Sequence, residues 1–291
     1  MTEPASGSRA LVGGALFALY VIWGSTYLAM QYALEGFPPL WMAAIRHASA
    51  GAILFAIAKL GGAPWPTARQ WRGALIVGGL LLAGGNGCVA IAERSVSSSF
   101  AAMALASVPL WTAAVGLFYG ERPTRRELIG MLVGFAGVIV LNASPSIGGD
   151  PLAFVAILVS PIVWSWGTIL GKRVELAKGA MGTATQMLAG GGLLVAMGAV
   201  GGERIAAAPS ATPIAAMIYL ITIGSIVAFS AYVYLLRTTR PAVATSYAYV
   251  NPIVAIALGV ALHGEEFSAR AAMATVLTLL GVFIIASGKK K

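Results

Sequence analysis

Charge is scarce in this chain. Lys, Arg, Asp and Glu together make up 10% of its 291 residues, against 58% hydrophobic residues. A water-soluble domain of this length has no way to bury so much apolar side chain, so the implied solvent is lipid. Cysteine is nearly absent too. Cys88 stands alone inside an apolar run, which excludes an intramolecular disulfide and a cysteine-based metal site, and reads as a small buried apolar residue. No G-x-x-x-x-G-K-[ST] motif occurs: Gly171-Lys172-Arg173 lacks both the upstream glycine and the hydroxyl, which argues against ATP-driven transport by this chain alone. There is no HExxH, no metal-spaced cluster and no serine nucleophile motif. The residues give an enzyme reading nothing to stand on, and they call for no cofactor and no metal.

What is present is apolar length. A helix spans a bilayer with roughly 20 apolar residues. Ten such runs are read, at about 11–30, 40–60, 73–92, 98–120, 127–143, 152–171, 180–200, 214–236, 242–263 and 269–287. The expectation is an all-α polytopic membrane protein with no soluble domain. Arg9 before the first run resembles the start of a signal peptide. That run corresponds to 152–171, which cannot be a signal, so it is read as a retained helix.

The net charge of +9 is a topology signal rather than a nucleic-acid footprint. With the N-terminus inside, the inner segments hold Arg9, Lys59, Arg69, Arg72, Arg122, Arg125, Arg126, Lys172, Arg173, Lys178, Arg237, Arg240 and Lys289 to Lys291, which is 15 of the 19 basic residues. By the positive-inside rule both termini are expected in the cytoplasm.

The sequence also says the same thing twice, about 143 residues apart. Pro109, Gly120-Glu121 and Gly137-Val138-Ile139 are answered by Pro252, Gly264-Glu265 and Gly281-Val282-Phe283, and Trp23-Gly24 by Trp166-Gly167. Glu121 to Gly137 and Glu265 to Gly281 are each sixteen residues; Arg94 to Pro109 and Arg237 to Pro252 are each fifteen. Two units are therefore expected, 1–145 and 146–291, each with five helices. An odd number turns the second unit upside down, and the aligned loops agree: 121–126 is basic, 265–268 acidic. Inverted repeats let one chain reach two similar conformations, one open to each side, as alternating access requires.

These features resemble the drug/metabolite transporter superfamily, specifically its EamA-type bacterial members. The motifs are Trp23-Gly24-Ser25, the Pro109…Gly120-Glu121 and Pro252…Gly264-Glu265 segments, and the Gly137 and Gly281 helices; the resemblance covers essentially the whole chain. Within that family the chain looks most like exporters of aromatic and other amino acids. The resemblance implies a basket of helices around a central cavity, with the fifth and tenth helices peripheral. Gly130 and Gly134, at GxxxG spacing in the fifth helix, suit close packing better than a substrate path.

Candidate site residues follow. All ten acidic residues map to termini, loops or helix ends, so no midplane carboxylate is expected, and ion coupling is disfavoured. Arg46 is the one basic residue well inside a helix, roughly 9 Å from its end at 1.5 Å per residue. Snorkelling or a backbone partner is the preferred reading there, with a substrate carboxylate as the alternative. Its neighbour His47 reads as a packing residue. Asn86, in Gly84-Gly85-Asn86-Gly87, suits a zwitterion or an interhelical bond, and Gly85 marks a break in the third helix. Pro109 and Pro252 are expected to break the fourth helix of each unit and free carbonyls, with Tyr247 and Asn251 on the face of Pro252. Trp164 shares a face with Ser160 and Gly167 and is assigned to the cavity, while Trp166, about 200° away, is assigned to packing. Met103, Ser107 and Trp111 form a similar stripe on the fourth helix; packing or an interface belt is the bland alternative for each tryptophan.

The resulting expectation, with the bacterial inner membrane as the location the resemblance implies, is a secondary transporter exporting amino acids or similar small metabolites, as a monomer or weak homodimer. A drug or metabolite exporter is the rival in the same class. A membrane partner subunit that transports nothing is the rival from another class, though a scaffold needs no two matched conformations. A membrane enzyme stands third.

Overall fold

The computed structural model describes residues 9–95, 101, 104–141, 150–263 and 269–287, and among these the chain is all helix with no strand. The helices are α1 (Arg9–Leu34), α2 (Pro39–Leu60), α3 (Ala68–Ala92), α4 (Val108–Leu117), α5 (Arg125–Leu141), α6 (Pro151–Leu170), α7 (Gly179–Val200), α8 (Ala211–Thr238), α9 (Tyr247–His263, preceded by one turn at Pro241–Ala244) and α10 (Ala269–Ala286). Each apolar run of the sequence carries one of them. Six, namely α1, α2, α3, α6, α7 and α8, are long and apolar enough to cross a membrane. Starts follow local chemistry where the chain leaves the apolar stretches. Thr67 and Gln70 form a capping box on α3, Asp150 accepts from Leu152 N at the head of α6, and Pro39 begins α2 where its missing N–H is not needed.

The helices pair across the chain. α2 packs along α7, α5 along α10, α1 against α8 and α9, α6 against α3 and α4, and α3 and α8 touch α7 and α2. Glycine sets how close they come. A Cβ on Gly281 would lie 2.6 Å from the Gly130 carbonyl oxygen and the Gly134 nitrogen, so α5 and α10 meet backbone to backbone. The GxxxG spacing of α5 is thus a packing face. The outward faces of this pair carry Leu128, Leu132, Met273, Val276 and Phe283, all exposed.

Ion pairs gather at one end of the bundle. Arg173 donates to Glu121 at 2.8 Å, and Arg240 donates to Glu127 at 2.5 Å and to the Arg122 carbonyl. Burial in this corner lowers the pKa of Lys172, against the pull of Glu121 and with help from Arg240 and Arg173. At the opposite end the Glu203 carboxylate accepts from Leu40 N and Trp41 N, capping the start of α2.

Two expectations about helix breaks are corrected. Gly85 does not break α3; the helix runs on through a wider π-helical stretch, Gly79–Asn86, and α8 contains a second such stretch at Leu220–Val227. Pro109 sits in the first turn of α4, after a turn at Ala106-Ser107, where its missing N–H removes no bond from the helix interior. Pro252 lies inside α9, which continues through it; the interruption comes earlier, at Thr245-Ser246.

Candidate functional site

Between α1, α2, α3, α6, α8 and α9, with the start of α4 at Val108, lies a cavity of about 60 Å³, room for a few waters. Its walls differ from end to end because the helices present different residues at different depths. Toward the ion-paired end, Trp23 of α1, Trp164 of α6, Tyr232 of α8 and Tyr247 of α9 form a closed aromatic layer. Trp23 meets Tyr247 at 4.7 Å between ring centres and Trp164 at 5.6 Å, both edge to face, and Tyr232 lies 5.2–5.9 Å from the other three. Hydrogen bonds fix the rings. Trp164 Nε1 donates to Tyr232 Oη at 3.1 Å, Tyr232 Oη pairs with Thr168 Oγ1 at 2.6 Å, and Trp23 Nε1 donates to the Gly224 carbonyl at 3.1 Å.

The other end is polar. Arg46 is 3% exposed; its Nε donates to Ser225 Oγ at 2.8 Å, Nη2 to the Gly224 carbonyl at 3.2 Å and Nη1 to Met30 Sδ at 3.5 Å. All three acceptors are neutral. The π-helical stretches supply backbone here: Gly224, in the stretch of α8, accepts from both Trp23 and Arg46, and Gly85, in that of α3, accepts from Ser160 Oγ at 2.9 Å. His47 Nε2 and Asn86 Oδ1 pair at 3.0 Å. Asn251 Oδ1 is buried without a partner.

Of the candidate residues, Arg46, Asn86, Ser160, Trp164, Tyr247 and Asn251 meet on the wall of this one cavity. Gly85 stands just behind it; a Cβ there would lie 2.7 Å from the Trp164 ring, so glycine is what lets the indole come this close to α3. The stripe expected on the fourth helix does not reach the cavity. Trp111 is 41% exposed on the outside of α4, and Ser107 Oγ turns back to the Ala104 carbonyl at 2.6 Å. The helix restarts at the Ala106-Ser107 turn, which resets the face that spacing from Ser107 assumed. Met103 lies outside the described residues. Pro109 faces a separate small cleft beside Glu127 and Arg240, and Pro252 is buried behind Asn251. Trp166 stacks on Phe118 and packs edge-on to Tyr119, away from the cavity.

Sequence reasoning passed over Trp23, Tyr27 and His47 as wall residues, and Tyr232 as the ring that backs Trp23 and Trp164. For α1 the signal was available, because Trp23 and Tyr27 are four apart and so share a face. Glu93 stands at the end of α3, where the sequence put it, yet it is buried, with neither oxygen hydrogen-bonded. Among the described residues no group of three His, Cys, Asp or Glu side chains comes together to hold a metal ion.

The family model of EamA-like transporters matches residues 12–143 and 151–287. This chain belongs to the EamA-like transporter family. It is therefore a membrane transporter and not an enzyme. The chain is 42% identical over 277 residues to the uncharacterized inner membrane transporter YedA of Escherichia coli (strain K12), covering 95% of this chain and 90% of YedA. It is 24% identical to protein PecM of Dickeya dadantii, over 92% of this chain and 91% of PecM. A protein of known crystal structure superposes with a TM-score of 0.78 at 20% identity, covering 96% of this chain and 98% of the other, which establishes the likeness of fold.

Proposed function

We propose that this protein is a secondary transporter of the bacterial inner membrane that exports amino acids, aromatic and other neutral ones, or similar small metabolites by alternating access. The observation that carries the reading is the cavity itself, with a layer of four aromatic rings at one end and Arg46, Asn86 and Asn251 at the other. An apolar side chain suits the first, a charged head group the second. In its described state the cavity holds only a few waters, so a substrate of that kind enters as the helices part.

The same reading takes the chain as ten membrane helices in two inverted repeats, 1–145 and 146–291, with both termini cytoplasmic. The helix pairings support it. Exchanging the halves turns α1–α9 into α6–α4, α1–α8 into α6–α3 and α2–α8 into α7–α3, and leaves α2–α7 and α5–α10 unchanged; every one of these pairings is present. Residues follow suit: a Cβ on Gly137 would meet Thr278, and one on Gly281 would meet Gly134, each pair being the other shifted by 144 positions. The two π-helical stretches begin 141 residues apart, at Gly79 and Leu220. The printed name of YedA places that relative in the inner membrane, in keeping with this location.

Counterflow in liposomes with purified protein and a panel of labelled amino acids tests the proposal. Exchange of phenylalanine, tyrosine or other neutral amino acids is the expected result. If none of the panel exchanges while a nucleoside or sugar does, the substrate assignment is wrong.

A further inference from the structure

The two ion pairs at one end of the bundle both hold the same short segment, the one that joins α4 to α5. Glu121 takes Arg173, which follows α6, and Glu127 takes Arg240, which follows α8. Each pair therefore ties the first half of the chain to the second. The Arg240 pair is the tighter one. Its guanidinium meets both carboxylate oxygens, Nε donating to Oε1 at 2.5 Å and Nη2 to Oε2 at 2.9 Å, and the Glu127 side chain is 3% exposed. Thr124 N donates to the same carboxylate at 2.7 Å, so Glu127 is fixed from its own side as well. Arg173 lies over the Tyr119 ring at 4.5 Å and donates to the Tyr119 carbonyl as it reaches Glu121.

An opening of this end that parts the halves has to break both pairs, and the opposite end has no equivalent of them. The offset of 144 that relates Glu121 to Glu265 takes Glu127 to Ala271. The offset of 143 that relates Pro109 to Pro252 takes Arg173 back to Met30 and Arg240 back to Ser97. Alanine, methionine and serine carry no charge. Exchanging the halves thus breaks two ion pairs and forms neither again at the equivalent positions.

We propose that the Arg240–Glu127 pair, assisted by Arg173–Glu121, is a lock that holds this end of the transporter shut and makes the state closed here the resting one. The proposal rests on the alternating-access reading above, in whose topology this is the cytoplasmic end. Two halves of like shape give two states of similar energy, and ion pairs present in only one of them tip the balance toward it. Opening releases Glu127 to water, where its charge needs no partner. Closing buries it, and Arg240 is the cation that offsets the burial. Without Arg240 the closed state retains a buried carboxylate lacking that cation, so the balance moves toward the open one.

Single cysteines at the two ends of α6, in a Cys88→Ala background, read that balance on purified full-length protein. Thr168→Cys lies toward the ion-paired end and Ala153→Cys toward the other, and both positions are fully buried. With a water-soluble maleimide, Arg240→Gln should raise the Thr168→Cys labelling rate at least tenfold, tenfold being about 1.4 kcal/mol, and leave the Ala153→Cys rate unchanged or lower. Arg173→Gln should act in the same direction by a smaller factor, because its pair is one-third exposed. Adding Glu127→Gln to Arg240→Gln should bring the rate part of the way back, since no carboxylate is then left buried. An unchanged Thr168→Cys rate in Arg240→Gln overturns the lock. So does an equal rise at both cysteines, the mark of general loosening. Should Arg240→Gln fail to fold, Arg173→Gln decides, and no rise at Thr168→Cys removes the proposal. Counterflow on the same proteins keeps the two readings apart: exchange that persists with unchanged labelling discards the lock and leaves alternating access standing, whereas no exchange of any substrate by wild-type protein ends both.

Discussion

Replacing Arg46 by methionine separates the two roles that a buried arginine can have. If its contacts serve the fold, losing the guanidinium removes two charge-assisted hydrogen bonds, to Ser225 and to the Gly224 carbonyl, each contributing about 1.5–3 kcal/mol. The variant would then lose several kcal/mol and fail in purification. The surroundings point the other way. Among the described residues no anion pairs with Arg46, the Gly224 carbonyl still accepts from Trp23, and a methionine at 46 would lie against the sulfur of Met30. Exchanging buried charge for well-packed apolar volume is often neutral or stabilising by about 1–4 kcal/mol. Arg46→Met should therefore keep or raise the thermal unfolding midpoint in detergent. It should also lose the bond to a substrate carboxylate, worth about 1.5–3 kcal/mol, or roughly 10- to 150-fold in affinity. Binding of labelled phenylalanine and thermal unfolding, measured on the same preparation, read the two effects separately. A folded variant with wild-type affinity takes Arg46 out of the site; a protein that cannot be purified makes it a structural arginine.

Other expectations are more quickly put. Trp164→Phe, which keeps a ring but loses the bond to Tyr232, should weaken substrate binding about fivefold or more, whereas Trp166→Phe should leave binding unchanged; the reverse order would rotate α6 from its described setting. Gly281→Leu should cost about 1–3 kcal/mol or more through backbone overlap with Gly130 and Gly134, read as a lower unfolding midpoint, and an unchanged midpoint would show that α5 and α10 do not meet this closely. In a Cys88→Ala background, cysteines at Thr124 and Ala207 should label from opposite faces of the membrane; labelling from one face contradicts the proposed topology. Phenylalanine counterflow should proceed with no pH or sodium gradient, and strict dependence on either would assign coupling to a group such as Glu93 or His47.

Legibility in the sequence was uneven for physical reasons. Helices are local, and each apolar run became one. Close packing was legible as well, because glycine spacing on α5 is a statement about which face can approach another backbone. Cavity residues were legible where one unbroken helix carried both the candidate and its reference, as with Trp164 and Ser160 on α6. They failed on the fourth helix because the turn at Ala106-Ser107 resets the rotation, so spacing across it carries no meaning. Pro109 misled in a related way: the residue type that breaks a helix interior also starts a helix well, and only the position of the turn decides which. Glu93 was hidden for a third reason. A helix end reads as exposed, but burial there depends on which helices pack beside that segment, here α2 and α6, and α6 lies far away in sequence.

On the proposed reading of two inverted repeats, the frame and the lining obey different symmetries, and that difference bears on how such a protein would work. Helix pairings exchange between the halves, yet the cavity wall does not repeat. Trp23 turns into the aromatic layer, while its counterpart Trp166 packs outside against Phe118 and Tyr119. Three of the four rings of that layer come from the second half, while at the polar end Arg46, His47 and Asn86 come from the first and Asn251 from the second. A symmetric frame is what gives two conformations of similar energy, since each half can adopt the arrangement of the other. A symmetric lining would offer a substrate two equivalent poses and orient it in neither. With one aromatic end and one charged end, the pocket can hold a molecule in a single orientation while the frame around it exchanges. On the proposed alternating-access reading, alternation is a property of the helix contacts and selectivity of the wall, so substitutions at Gly130, Gly137 or Gly281 should change rates for every substrate together, and substitutions at Arg46, Asn86 or Trp164 should change the ratios between substrates.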